Sequence, residues 1–574
     1  MKYFMKGCAL LFALFFLFLV TSTALVKEEK EEKPCSTMEA KIDKVFADFA
    51  KPESPGAAVA VLKEGMVVFR KGYGSAQLEY KIPITPSTIF HVASVSKQFT
   101  AMAITMLEAQ GILSVDDDIH KYLPDIPDFG KNITIRHLLH HISGLRDQWQ
   151  LLIMSGWRMD DVITQDHILD VVKRQKELNF TPGDRYMYCN TGYSLMAEIV
   201  SKISGKPFVE WVKENIFDPL GMSSTHFHID HEQIVKNRAY SYAKDKEKGL
   251  KKSVLNYANV GATSLFTTVE DMANWMRNFD EKRIGGKEVI DRMVTQGVLN
   301  NGKKISYARG VDIETYKGLK TIGHSGADAG FRSHMVYFPE EKFGVVVLSN
   351  LASSQPRGLC QQVTDIYLAK KLKEPKKEEK KPALKKKKLK EKQLLACEGT
   401  YWLETSKLLR RIVLENKKLY YVRSKTDRTE LAPISVTEFI MLGIPGEVIV
   451  RFSHQENGKY ARITVLMPGE DPIPGKRIEP FEPTEAELKE YAGTYYSEEL
   501  DVKYIFMVRD GKLYIRFRNS PKDPLNPLIR DAFSLWEGYI RLNFQRNEQG
   551  RISGLLANTG RVVDLMFKKL AAGS

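Results

Sequence analysis

Cysteine is scarce in this 574-residue sequence, and the five present, Cys8, Cys35, Cys189, Cys360 and Cys397, lie far apart. None has metal-ligand spacing, which argues against a zinc site, and so sparse a set excludes a dense disulfide framework; one disulfide is allowed but not implied. No nucleic-acid motif accompanies the formal charge of +14. Twelve lysines and four glutamates between Lys371 and Gln393 supply +8 of that charge, so the rest of the chain is only mildly basic. Such a run cannot bury a core and reads as a solvated linker, with adhesion to anionic lipid or cell-wall polymer as the functional alternative. What remains is ordinary globular composition, 43% hydrophobic and 27% charged, in a chain long enough for two to four domains at roughly 100 to 200 residues each.

At the amino terminus, Lys2 and Lys6 precede an apolar run from Cys8 to Val20, followed by Thr21-Ser22-Thr23-Ala24. Small residues at Ser22 and Ala24 fit a signal peptide, residues 1–24, cleaved after Ala24; an uncleaved anchor is the alternative, since the apolar stretch continues to Val26. A secreted or periplasmic protein is therefore expected, membrane-anchored if that segment is retained. From about 36 to 370 strands and helices alternate. Ala57–Leu62 and Met66–Arg70 flank Glu64-Gly65 as a hairpin, and Phe343–Leu348 reads as a buried strand, giving a mixed α/β (α+β) domain whose antiparallel sheet uses both ends of the segment. After the linker, 371–393, the chain repeats. Gly399-Thr400-Tyr401 recurs as Gly493-Thr494-Tyr495, and Leu419-Tyr420 as Leu513-Tyr514. Short alternating apolar runs between turns predict two small antiparallel β-barrel domains, 394–480 and 485–574.

Three strings in the first domain could carry chemistry. Ser94-Val95-Ser96-Lys97 opens a helical run through Phe99, Met102, Ala103 and Met106, placing Ser94 and Lys97 on one face at the helix start, the serine beside the positive end of the helix dipole and an amine able to take its proton. The plain alternative is an N-cap serine. A second S-x-x-K, Ser241 to Lys244, has no apolar helix after it and reads as a loop. Next, Tyr188-Cys189-Asn190 sits in a turn-rich stretch before a helix. A Tyr188 phenol with its pKa lowered by nearby cations such as Lys97 could shuttle a proton, and Asn190 could donate to a substrate carbonyl; the alternative is a loop tyrosine, and Tyr257-Ala258-Asn259 matches the same short pattern. Last, Gly323-His324-Ser325-Gly326-Ala327 precedes the strand-like run Ser333–Phe338. Small residues there let an edge strand approach a ligand, and an N–H could complete an oxyanion hole with that of Ser94. The string nearly matches a G-x-S-x-G elbow with Ser325 as nucleophile, but an elbow needs a following helix, and strands follow here.

S-x-x-K, Y-x-N and H-x-G in this order resemble the serine β-lactamase-related family, especially class C β-lactamases, penicillin-binding proteins, carboxylesterases of that fold and D-aminopeptidases. Phe90-His91-Val92-Ala93, the stretch Ile135 to Leu145 and Thr267 to Met272 also resemble it, over roughly residues 40 to 370. The resemblance implies a β-lactamase/transpeptidase-like fold with a helical subdomain. It implies Ser94 as nucleophile, Lys97 and Tyr188 as the base pair, Asn190, His324 and Gly326 as substrate-binding positions, and the N–H groups of Ser94 and Ala327 as oxyanion hole, with no metal or cofactor. His324 departs from the lysine of K-T-G, and because histidine is mostly neutral near pH 7 the departure argues against efficient β-lactam hydrolysis. The paired barrels resemble the lipocalin-like domains of some D-aminopeptidase relatives, where they could narrow the cleft. The expected activity is acyl transfer on an ester or a D-amino-acid peptide or amide. A weakly catalytic sensor or cell-wall binding protein is the second reading, and barrels acting as the functional module on a scaffold domain the third. Pocket shape, and not these motifs, separates esterase from peptidase.

Overall fold

A computed structural model of the protein describes residues 37–571 apart from 248, 374–386, 406, 425–426, 445, 468–470, 519 and 521. The expected signal segment, Cys35 and most of the lysine-rich stretch lie outside the described residues. Strands β1 (Ala57–Lys63) and β2 (Met66–Tyr73) form the expected hairpin. Its two turn residues, Glu64 and Gly65, both have positive φ, 50° and 77°, as a turn matching the twist of paired strands requires. Strands β3 (Asp312–Tyr316), β4 (Leu319–Asp328), β5 (Phe331–Phe338) and β6 (Phe343–Ser349) complete a six-stranded sheet in the order β3-β4-β5-β6-β1-β2. All neighbours are antiparallel, and β6 pairs with β1 from Ala57↔Ser349 to Lys63↔Phe343, so the two ends of the domain meet in mid-sheet.

Strands with both faces covered need apolar residues throughout, and β1 and β6 are buried almost end to end. Alternation decides which helix each residue meets. Val59, Val61, Val345 and Val347 pack with Ile42 of helix α1 (Met38–Val45) and with Phe46, which caps its end. Ala58, Ala60, Val346 and Leu348 join the larger core on the other face. That core holds helices α2 (Lys97–Ala109), α3 (Asn190–Ser204) and α4 (Val269–Glu281), while α5 (Pro356–Tyr367) closes the α1 side through Leu359, Cys360 and Val363. Cys189, Cys360 and Cys397 are buried, unpaired thiols.

The two repeats fold alike. Residues from Gly399–Leu403 to Ile473–Ile478 form a closed eight-stranded antiparallel barrel, its last strand returning to its first. The second repeat forms a nine-stranded antiparallel sheet curled into a nearly closed barrel, from Gly493–Ser497 to Leu565–Lys569. Each opens on the repeated Gly-Thr-Tyr, and in each the tyrosine hydroxyl donates to the carbonyl four residues back: Tyr401 to Cys397 (3.0 Å) and Tyr495 to Tyr491 (3.0 Å). The first barrel has its own core around Phe439 and Phe452. Residues of the second, among them Tyr504 and Phe517, merge instead with the hydrolase-domain core. Tyr504 donates to the Met154 carbonyl (2.7 Å), and buried Arg146 pairs with buried Glu499.

One expectation fails here. Ser241–Asp245 is a strand of a hairpin with Gly249–Ser253 and not a loop. Three positions apart on a strand, Ser241 and Lys244 point to opposite faces. The serine hydroxyl is committed to the Ser253 carbonyl (2.8 Å) and to the N–H of Gly330 (3.1 Å).

Candidate active site

Ser94 lies in a short 3-10 turn, Ala93–Ser96, that runs directly into α2, whose first residue is Lys97. The residue before the serine, Ala93, has φ 50°, a strained conformation for a side chain with a Cβ. Strand β4 holds that turn from outside. A Cβ on Gly326 would stand 2.2 Å from the Val92 carbonyl oxygen and 3.2 Å from the Ala93 Cβ, and the Ser333 hydroxyl donates to the same carbonyl (2.8 Å). On its Cβ side Gly326 makes room for the backbone of the serine turn, while the strand itself lines the cleft. The β3–β4 ladder ends at Gly323, so 324–328 run along the cleft unpaired on that side.

The amine of Lys97 is fully buried and touches three oxygens: Ser94 Oγ at 3.1 Å, Asn190 Oδ1 at 2.8 Å and the Ala262 carbonyl at 2.7 Å. Two of these can only accept. The Asn190 amide is oriented by Asp147, whose Oδ2 takes both the side-chain N–H (2.7 Å) and the backbone N–H (2.8 Å) of Asn190. A neutral amine has two N–H groups and one lone pair. With the N–H groups on Asn190 and Ala262, the lone pair faces the one partner able to donate, Ser94. Burial favours that neutral form and brings Lys97 down to about 7, against the opposing pull of Asp328 and Asp147 and with help from Arg561. The Asn190 side chain thus spends its oxygen on Lys97 and one of its two amide N–H groups on Asp147, and the residue lines the cleft where the second N–H can meet the substrate carbonyl expected from sequence.

Tyr188 is held over Lys97, its ring centroid 4.9 Å from the amine. Burial pushes its phenol well above the usual value, and the interaction with Ser94 opposes this only in part. The lowered pKa expected from neighbouring cations is therefore reversed: desolvation dominates, and Lys97 is itself half-neutral at pH 7. Tyr188 is a proton donor in the resting site. His141, with positive φ of 58°, builds the loop that presents it. Its Nδ1 accepts from the Cys189 N–H (3.1 Å), its carbonyl takes the Met187 N–H (2.9 Å), and its ring packs against Tyr188 at 4.1 Å.

His324 is buried and pushed down to about 3 by desolvation and the proximity of Lys97. Its Nδ1–H donates to the Ser325 carbonyl (2.6 Å), which leaves Nε2 to accept from the Tyr307 hydroxyl (3.1 Å). Both ring nitrogens are occupied, and the position carries no positive charge near neutrality. Ser325 lies within β4 with no helix after it, its hydroxyl against His334 Nδ1 (2.8 Å), so the elbow geometry is absent. Ser94, Tyr188, Asn190, His324, Gly326 and Ala327 all line one cleft of about 590 Å³, with Lys97 beneath it. An alcohol on an unprotonated amine, a neutral phenol beside it and two backbone positions at the rim are the parts of an acyl-transfer site.

Comparison with known proteins agrees with this geometry. The family profile described as Beta-lactamase matches residues 42–365. The chain belongs to the β-lactamase family. A D-aminopeptidase of Gluconobacter oxydans (strain 621H) is 29% identical over 547 residues, spanning 91% of this chain and 97% of its own. Penicillin-binding protein 4* of Bacillus subtilis is 27% identical over 424 residues, 70% of this chain and 92% of its own. Among solved structures, the octameric penicillin-binding protein homologue from Pyrococcus abyssi superposes with a TM-score of 0.53 at 26% identity, covering 76% of this chain and 99% of that one. The protein is a β-lactamase-family serine hydrolase.

In this β-lactamase-family enzyme the second barrel reaches the cleft. The loop between Ile552–Asn558 and Leu565–Lys569 enters it, and Arg561 stacks on Tyr188 with its guanidinium 4.9 Å from the ring centroid, lies 3.7 Å from Asp147 and lines the pocket. Its backbone is clamped: the carbonyl accepts from Asn179 Nδ2 (2.9 Å) and the N–H donates to Gln150 Oε1 (2.5 Å). Asp147, Tyr307, His141 and Arg561 were not singled out in the sequence. Asp147 closely follows the Ile135–Leu145 string and could have been sought there, whereas nothing local marks Arg561.

Proposed function

We propose that the enzyme hydrolyses a D-aminoacyl amide or peptide, or an ester of similar shape, through an acyl-enzyme on Ser94. The observation that carries this reading is the three-contact environment of Lys97, which leaves its lone pair on Ser94. Lys97 takes the Ser94 proton as Oγ attacks the substrate carbonyl, and the oxyanion rests on the N–H groups of Ser94 and Ala327. Tyr188 gives its phenolic proton to the leaving nitrogen or oxygen and recovers one through Lys97. Water then enters, loses a proton to the same pair and releases the acid. His324 and Gly326 shape the wall along which the acyl group lies, and Asn190 fixes the amine. The D-amino-acid preference is supported by likeness to a D-aminopeptidase that extends over the barrels, and by a neutral His324 where a β-lactam carboxylate would favour a cation. Action outside the cytoplasm belongs to the same proposal and rests on the 1–24 segment.

The test is a fluorophosphonate adduct located by peptide mapping, then a panel of D- and L-alanine p-nitroanilides, p-nitrophenyl esters and a penicillin. A single adduct on Ser94 and turnover of D-alanine p-nitroanilide, both lost in Ser94→Ala, are expected. An unreactive Ser94, or Ser94→Ala turning over all substrates at the parent rate, would sink the proposal.

A further inference from the structure

We propose that the groove between the two barrels is a second ligand site, one that binds a phosphate ester such as a glycerol phosphate, free or as a lipid headgroup. The groove encloses about 720 Å³. Arg410, Arg411 and Arg423 enter it from the first barrel and Arg541 from the second, and the only carboxylates among its lining residues are Asp427 and Glu537. Asp427 is already taken by Arg423 (3.0 Å).

The guanidinium groups of Arg410 and Arg541, near enough across the seam for one charge to act on the other, keep donors in reserve, although Arg410 also lies over the Tyr421 ring at 6.0 Å. Arg410 donates through Nη1 to its neighbour's carbonyl, Leu409 O (2.8 Å), and Arg541 through Nη2 to Thr559 O (3.2 Å). The Nε of each is buried and has no hydrogen-bond partner among the described residues. Burial lowers the pKa of Arg541, and the charge of Arg410 lowers it further. Like charges brought together with buried N–H groups unsatisfied weaken a fold unless something completes them. An anion does both at once, because Nε and a terminal Nη of one guanidinium match two oxygens of a phosphate, and a second guanidinium can take a third. A carboxylate has only two oxygens to share among these groups. Val422 and Leu528 line the same groove beside Asn526 and Ser534, so the body carried by the phosphate meets both apolar contacts and groups able to bond the hydroxyls of a glycerol. The ester could come from solution or from a phospholipid headgroup, and the chemistry recognised is the same.

The experiment uses the full chain in chloride buffer at matched ionic strength, titrated with sn-glycerol 3-phosphate by calorimetry. Separately, it is co-sedimented with phosphatidylcholine vesicles with and without phosphatidylglycerol. Two double variants are compared, Arg410→Gln/Arg541→Gln and, as a charge-matched control, Lys244→Gln/Lys320→Gln. The parent and control should bind glycerol phosphate with a dissociation constant of about 1 mM or tighter, and the arginine variant should bind at least about tenfold more weakly. Ser94 labelling should be equal in all three, which separates this site from the hydrolytic one. Without ligand the arginine variant should melt no lower than the parent, because repulsion has been relieved; arginines with a purely architectural role predict a lower melting temperature. Vesicle binding that needs phosphatidylglycerol and both arginines identifies a lipid headgroup as the source, and glycerol-phosphate binding alone identifies a soluble ester. No heat at 20 mM glycerol phosphate and no arginine-dependent vesicle binding, or equal binding by both variants, would overturn the proposal.

Discussion

The rate at which a fluorophosphonate labels Ser94 should follow the unprotonated fraction of Lys97. An ordinary lysine, at 10.5, is neutral in about three molecules in ten thousand at pH 7; at about 7 it is neutral in about half. Burial therefore enlarges the reactive population roughly a thousandfold, equivalent to about 4 kcal/mol. Because the neutral form is the active one, the second-order labelling constant rises with pH. It should stand at about one tenth of its plateau at pH 6, half at pH 7 and nine tenths at pH 8. The neighbouring histidines do not confuse this limb, since His140, His324 and His334 are pushed down to about 3 and His141 lies well below its usual value. Asp312 lines the same cleft and is raised by burial to about 6, so Asp312→Asn serves as control and should leave the limb in place. Arg561→Gln removes a cation that depresses Lys97 and should move the limb to higher pH. A profile flat from pH 5 to 9, a midpoint above pH 9, or a limb abolished by Asp312→Asn would refute the assignment of Lys97 as the base.

Tyr188→Phe should cut turnover of an anilide by about 10² to 10⁴ yet leave fluorophosphonate labelling largely intact, since fluoride departs without a proton; stopped-flow comparison of the two reactions checks it. Lys97→Met should abolish labelling while improving the fold. The folded pKa lies below that of the unfolded lysine, so the unfolded chain holds the extra proton between about 7 and 10.5. Stability from this group therefore rises with pH across that window, and the slope should vanish in the methionine variant when melting temperature is followed from pH 6 to 9. Gly326→Ala drives a methyl into the Val92 carbonyl and should lower Ser94 labelling by about a hundredfold through displacement of the turn. Glu499→Ala strands a buried guanidinium at Arg146 and should cost about 3 to 5 kcal/mol in denaturant unfolding, while Arg146→Met/Glu499→Leu should recover most of it.

Much of this architecture was legible because it rests on local patterns. The Glu64-Gly65 turn, the apolar run of β6 and the recurring Gly-Thr-Tyr each report their own structure through φ preference, burial or repetition. Ser94, Lys97, Tyr188 and the β4 string could be singled out because each sits in a short motif. The electrostatics were less legible. Whether Tyr188 gains or loses acidity depends on how completely it is desolvated, which the residues around it in sequence do not determine. The type of Asn190 points to a substrate donor, but that its oxygen also turns toward the lysine depends on Asp147, 43 residues away. That Gly326 also makes room for the Val92 carbonyl was not legible, because a sequence does not name the distant backbone that packs against a glycine. The loop of Arg561 is joined to the cleft through Gln150 and Asn179, contacts of tertiary docking that leave no periodicity behind.

The entry of the Arg561 loop into the cleft also orders events in time. A growing chain reaches the end of the last hydrolase-domain helix, Tyr367, before any residue of either barrel has been synthesised, so the Arg561 loop can reach the cleft only after both barrels have been translated almost to their last strands. Until the loop arrives, the cleft lacks the Arg561 guanidinium that helps to depress Lys97, so the base holds its proton to higher pH. The tuning of the nucleophile thus depends on a residue of the second barrel and on the Gln150 and Asn179 contacts that hold its backbone.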